Sequence, residues 1–262
     1  MTASCCTTDI TCFLVSIGFR RRSRELAWKA LDHRGKSNLD TQQQLLKQAL
    51  ALLPERVRLT VHGDSELRGS ALFRWLRERH CEAMLGVQGT TYVSVTRDGS
   101  RQLLKDWLID RATVVYLQHI YLTEDAHGRL SVIAWWAKDD DDDWIVRGVM
   151  TNLRATWQTY LPGRRRMWIE TVFRDWQSGG FHLDRCGMTD RDRVAGLLLP
   201  LAIAYLWLVS LGRWVVKKGY RRLIDDGTAQ SWHFSLFQLG VGWKERLASY
   251  TLAIPILPYL YL

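Results

Sequence analysis

Apolar and polar positions change period along this chain, and each change marks an element. Residues 11–19 (TCFLVSIGF) are apolar, β-branched and aromatic, which predicts a strand. Arg20, Arg21 and Arg22 follow, and residues 25–31 read as the second strand of a hairpin. Residues 33–38 are a loop. Asp40 can cap a helix over 41–53, where Leu45, Leu46, Ala49, Leu50 and Leu53 fall at helical spacing before Pro54 ends it. A strand over 57–61 runs into a Gly63-Asp64 turn. A helix over 70–80 turns Leu72, Trp75 and Leu76 inward and Arg74, Arg77, Glu78 and Arg79 outward, and 81–87 is again a strand.

Between 90 and 150 the pattern becomes alternation (TTYVSV, ATVVYLQHIYL, RLSVIAWWA, WIVRGVM), which predicts an antiparallel β insert. The five consecutive aspartates at 139–143 fall between two of its strands, where adjacent carboxylates repel and stay solvated. From Arg164 onward the period is helical: an apolar helix over 197–211, a basic amphipathic stretch over 213–222, a loop over 227–231 and a last helix over 234–247. Pro255 and Pro258 interrupt the apolar tail.

The 19 uncharged residues 194–212 are long enough to cross a bilayer. Gly196 and Pro200 interrupt them, and Arg191, Asp192 and Arg193 lead straight in, so the expectation is a buried helix with no membrane contact. A membrane-protein reading rests on this run alone.

Charge adds a partner class. The formal net charge is +9, and 28 of the 36 basic residues are arginine. Guanidinium forks match phosphate oxygens, so the excess leans towards nucleic acid. Cys5, Cys6, Cys12, Cys81 and Cys186 are odd in number and lack a Cys-x-x-Cys pair, which argues for neither a disulfide framework nor a zinc site and fits a reducing cytoplasm. The first twelve residues do not have the form of a signal peptide. None of the seven histidines has ligand spacing.

Two carboxylates stand out. Asp64 follows a strand, and Glu170 lies about a hundred residues later in a helix with Arg166 four positions before it and Arg174 four after. An Asp at a strand tip and a Glu on a basic helix can together hold a divalent metal, while the arginines hold phosphates. The bland alternative is an i, i+4 ion pair and a turn aspartate.

The stretches VRLTVHGDSELRGSALFRWLRER, WIVRGVMTNL and RMWIETVFRDWQSGGFHLD, with LVSIGFRRRSRELAWKALDHRG and LLLPLAIAYLWLVSLG, resemble DDE transposases of the insertion-sequence-4 type over residues 11–245. The resemblance implies an α/β, RNase-H-like mixed sheet flanked by helices, with the β insert before the helix carrying the catalytic Glu. Residues 1–89 and 151–262 would form the catalytic domain with C-terminal helices, and 90–150 the insert. It implies magnesium- or manganese-dependent cleavage of transposon ends and their transfer to target double-stranded DNA, by a homodimer on DNA in the cytoplasm, associated with the nucleoid. Asp64 matches the second acidic residue of the triad and Glu170 the third, both as catalytic and metal-binding residues. Arg164, Arg165, Arg166 and Arg174 are the DNA-binding candidates.

Three positions depart from the family. In its Tyr-x2-Arg-x3-Glu-x6-Lys signature Gly163 replaces the Tyr, with Tyr160 nearby, and Gln177 replaces the Lys. The first catalytic Asp lies in the family on a strand before the one resembling TCFLVSIGF. Only Asp9 is acidic here, and its closeness to Thr11 argues against a separate strand. The expectation is a transposase truncated at its N-terminus, and the rival from another class is a catalytically inactive DNA-binding remnant.

Overall fold

The computed structural model of the chain describes residues 2–5, 10–19, 22–33, 37–67, 69–122, 130–139, 141–163, 167–177, 179–228 and 231–250. The chain divides into two compact units. One comprises Met1–Ser4, Phe13–Lys29 and Gly35–Glu170; the other comprises Cys5–Cys12, Ala30–Arg34 and Thr171–Leu262.

Strands β1 (Thr2–Cys5), β2 (Thr11–Phe19) and β3 (Arg22–Leu31) form a three-stranded sheet in that order. A strand therefore does precede β2, which the closeness of Asp9 to Thr11 argued against. Its sequence, TASC, carries no carboxylate. Asp9 lies outside the described residues. Cys12 is disulfide-bonded, whereas Cys81 and Cys186 are free; no spacing rule announced that bond.

Helix α1 (Leu39–Ala51) buries Leu45, Leu46 and Ala49, the stripe expected from its periodicity. Its cap is Asn38 rather than Asp40: the Asn38 side chain accepts the Thr41 amide at 2.9 Å, and Asp40 sits in the first turn, where its charge suits the helix dipole.

The second sheet holds seven strands: β4 (Thr60–Gly63), β5 (Glu82–Gln88), β6 (Tyr92–Ser94), β7 (Gln102–Leu103), β8 (Val114–Leu122), β9 (Leu130–Lys138) and β10 (Trp144–Thr151), in the order β4-β5-β10-β9-β8-β6-β7. β4 and β5 are parallel, joined across α2 (Ser70–Glu78), because parallel neighbours need a crossover. β5 pairs with β10 and β9 with both β8 and β10, all antiparallel. The strands of 90–150 thus continue the sheet that β4 and β5 begin. β5 is an inner strand, and Ala83, Met84, Leu85 and Val87 are buried on both of its faces.

Of the aspartate run, Asp141, Asp142 and Asp143 are exposed in the turn between β9 and β10. Asp139 Oδ1 accepts the amides of Asp141 and Asp143 at 3.1 and 2.9 Å, and Lys138 pairs with Asp142.

Helix α3 (Trp157–Gly163) and the first turn of α4 (Met167–Trp176) close the first unit. The second unit is helical, built on α5 (Arg191–Lys217) and α6 (Leu236–Ser249). Asp190 caps α5 by accepting the Arg193 amide at 2.8 Å, and Ser235 and Gln238 form a reciprocal capping box on α6. α5 and α6 approach at glycines. A Cβ on Gly212 would lie 1.8 Å from the Leu236 carbonyl oxygen, and one on Gly240 would lie 2.0 Å from that of Leu208. α5 is long and apolar enough to cross a membrane, and Val194, Leu198, Ala202, Tyr205, Leu208, Leu211 and Val215 are buried within the protein.

Glu25 on β3 is a liability inside the first unit. Both carboxylate oxygens are enclosed and make no hydrogen bond to another of the described residues. Burial pushes its carboxyl up to about 7 from an ordinary 4.5, against the smaller opposing pull of its own backbone amide and Arg24. The folded protein keeps this proton where the unfolded chain has lost it. Stability therefore falls as pH rises from 4.5 to about 7 and stays low above that, by roughly 3 kcal/mol. Glu25→Gln should remove that fall. Urea unfolding of both proteins at about pH 4 and pH 8 measures it, and equal pH dependence in the two would contradict a buried neutral Glu25.

Candidate active site

Asp64 stands at the C-terminal end of β4, where open α/β sheets present their ligand-binding residues. The parallel register runs from Thr60 opposite Glu82 to Gly63 opposite Leu85. Thr60 Oγ1 donates to Glu82 Oε2 at 2.6 Å, and the Arg58 guanidinium also pairs with Glu82, which pins the start of β4 to β5. At the other end the chain turns at once. Asp64 Oδ1 accepts the Glu66 amide at 3.0 Å, and the Asp64 carbonyl accepts the Leu67 amide at 3.1 Å. This Asx turn orients the carboxylate, which is half-buried.

Gly86 makes that turn possible. A Cβ there would sit 2.7 Å from the Ser65 amide nitrogen and 2.9 Å from the Asp64 carbonyl carbon, both backbone atoms with no room to give. Sequence reasoning passed over it, although a glycine inside the apolar strand EAMLGVQ is the usual mark of a close backbone approach. Asn152 is a second positioning residue. Its Oδ1 accepts the Ala83 amide and its Nδ2 donates to the Cys81 carbonyl, each at 2.9 Å, so the residue after β10 ties down the start of β5.

Glu170 lies half-buried in the first turn of α4, in the same compact unit as Asp64. A cleft of about 500 Å³ in this unit is lined by residues 57–62 leading along β4, by Val15 to Gly18 of β2, by the apolar face of α1, and by Ile169. Ile169 precedes Glu170 and His62 lies two residues before Asp64, so the segments that carry the two carboxylates border one cleft.

The family model of the transposase DDE domain matches residues 4–207, most of the chain and both carboxylates. The chain belongs to this family. No curated protein matches it.

The mixed sheet flanked by helices is the RNase-H-like arrangement of a transposase DDE domain. Of its expected DNA contacts, Arg174 is exposed on α4, and Arg164, Arg165 and Arg166 lie outside the described residues. Tyr160, near the signature position held by Gly163, packs edge-on against Trp135 of β9 with ring centroids 5.0 Å apart. Gln177, in the place of the signature Lys, is half-buried. Two carboxylate donors that water can reach suit a hard divalent cation, as transposase DDE domains use.

Among the described residues the one ready-made cluster of three ligand-type side chains is Asp225, Asp226 and His233, not a group around Asp64. Its chemistry is structural. Burial pushes the Asp225 carboxyl up, but the amides of Phe234, Gly227 and His233 and the Arg221 guanidinium outweigh this and bring it down to about 2. Asp225 is an internal acceptor closing the loop between α5 and α6.

Gly86→Ala in this transposase domain should destabilise the fold by about 1–3 kcal/mol, since the added methyl meets backbone. It should also weaken Mn²⁺-induced thermal stabilisation more than an equally destabilising change elsewhere in the sheet, such as Val146→Ala. Thermal melts with and without Mn²⁺ test this; equal Mn²⁺ responses in the two variants would show that Gly86 does not position Asp64.

Proposed function

We propose that this transposase domain performs metal-dependent phosphoryl transfer on double-stranded DNA, cutting transposon ends and joining them to a target, with Asp64 and Glu170 as metal ligands. The supporting observation is the family match spanning both residues, with Asp64 held at the tip of a parallel strand by a turn that only a glycine neighbour permits. Mg²⁺ or Mn²⁺ is the ion this oxygen donor set would hold. When bound, such an ion polarises the scissile phosphate and lowers the pKa of the attacking water or 3′-hydroxyl. The protein's own part is to hold the two carboxylates in place at the strand end and helix start. Arg164, Arg165, Arg166 and Arg174 neutralise and orient the phosphates. A homodimer fits a substrate with two ends. A chromosomal DNA substrate fits a domain in the cytoplasm at the nucleoid; the disulfide at Cys12 sits against that location.

The rival reading, a DNA-binding remnant without catalysis, is favoured by one observation. The strand before β2 carries no carboxylate, and no third ligand joins Asp64 and Glu170 in a preformed cluster among the described residues. Two-metal chemistry needs a carboxylate that bridges both ions.

Three measurements separate the readings. Asp64→Asn and Glu170→Gln should each abolish Mn²⁺-dependent nicking of transposon-end DNA and the stabilisation conferred by Mn²⁺, about 2.7 kcal/mol at a hundredfold excess over Kd, while leaving DNA affinity in EDTA unchanged. A crystal structure with Mn²⁺ should place the two carboxylates within roughly 8 Å; a larger separation ends the enzyme reading. DNA binding without nicking or Mn²⁺ stabilisation in the unmodified chain establishes the remnant. Under either reading, replacing Arg164, Arg165 and Arg166 by Ala should reduce the log–log salt slope of DNA binding by up to about three units. An unchanged slope removes that cluster from the interface.

A further inference from the structure

The C-terminal end of α5 is built to hold an aromatic ring and several cations outward. The helix ends at Gly219, whose φ of +77° lies in the left-handed region. The Gly219 amide donates to the Val216 carbonyl at 3.1 Å and the Tyr220 amide to the Val215 carbonyl at 3.0 Å, the paired bonds of a Schellman stop. This folds Tyr220 back over the last turn. Its ring lies 5.7 Å from that of Trp214 and stacks on Trp243 of α6 at 5.3 Å with an interplanar angle of 2°. Trp243 is 8% exposed and Tyr220 41%, so a buried ring supports an exposed one.

The next residue locks the segment. Arg221 Nη2 donates to Asp225 Oδ2 at 3.1 Å and to the Phe234 carbonyl at 2.9 Å, and its guanidinium lies 4.3 Å from the centre of the Trp232 ring. Arg221 is thereby an internal strut. Lys217, Lys218 and Arg222 around it are exposed, and residues 213–222 contain five cations and no acid. Helix-dipole stabilisation accounts for Lys217 and Lys218 at a helix C-terminus. It accounts for neither Arg222 nor the propped Tyr220, which lie beyond the last turn.

We propose that Lys218, Tyr220 and Arg222, with Lys217, grip the sugar–phosphate backbone of duplex DNA as a second, sequence-independent anchor, separate from the arginines that precede Glu170. The inference rests on the DNA-processing function proposed above. Phosphate contacts come from Lys, Arg and Tyr side chains, and they position the protein without reading bases. Holding Tyr220 in place beforehand reduces the ordering that binding would otherwise require.

The test uses the full chain and a duplex of random sequence, with affinity followed by fluorescence anisotropy from about 50 to 200 mM salt. Lys218→Ala with Arg222→Ala should make the log–log salt slope shallower by about two units and weaken binding roughly ten- to a hundredfold at about 0.1 M salt. Tyr220→Phe, which keeps the stack and removes the hydroxyl, should weaken binding by a smaller factor with little change of slope. A control removing the same charge elsewhere, Lys47→Ala with Lys105→Ala at exposed positions of the first unit, should leave the slope unchanged. A control that falls as far as the test pair overturns the proposal, because total charge then suffices. Duplex binding with an unchanged slope in the Lys218/Arg222 variant overturns this anchor and leaves the proposed function standing; no duplex binding by the unmodified chain overturns both. Phosphatidylserine vesicles supply the last arm: a variant that loses vesicle binding but keeps duplex binding makes this surface a membrane contact and refutes the DNA anchor.

Discussion

The parallel pairing of β4 on β5 is the contact on which the candidate chemistry depends. β5 is buried on both faces, so it is rigid, and it sets the height at which the neighbouring strand ends. Glu82 holds one end of β4 through Thr60 and Arg58. At the other end Gly86 lets the Asp64–Ser65 backbone lie closer than any side chain would permit. Asn152 closes the arrangement by satisfying backbone groups at the start of β5. The carboxylate of the candidate site is thus aimed by backbone and side-chain groups around it, as a preorganised site would require.

The second unit follows a different constraint. α5 and α6 pack with two glycines at their crossing, so their backbones approach without side chains between them. Leu211, Val215 and Trp243 form the core at that crossing, with Trp207, Trp214 and Ile224 packed on it. The loop that joins the two helices is tied to Asp225, whose buried carboxylate collects three amides and a guanidinium. A buried charge is tolerated there because every donor points at it. The same hub fixes Arg221, and so decides which of the neighbouring cations face outward.

Much of this was legible along the chain. The stripe of α1, the alternation in 90–150, the apolar α5 and the placing of Asp64 after a strand and Glu170 in a helix all follow from periodicity, because burial of one face imposes 3.6 or 2.0 on the sequence. End effects were less legible. The cap of α1 fell to Asn38 because local hydrogen bonding, not charge, selects the capping oxygen. The two-residue strand β7 is too short to show a period.

What the sequence determined by itself is the class of chemistry on offer: two carboxylates on different elements, an arginine-rich composition, and an arrangement of stretches that marks a transposase DDE domain. Tertiary structure alone decided the rest. It joined the insert to the sheet of β4 and β5, because an inner strand must pair on both edges and β10 is the strand that meets β5. It gave Gly86 and Asn152 their positioning roles, since a close approach between residues 64 and 86 or 83 and 152 leaves no periodic trace. It also set Arg221 apart from Lys218 and Arg222, cations alike in sequence, because only the folded chain places a buried carboxylate beside one and solvent beside the others.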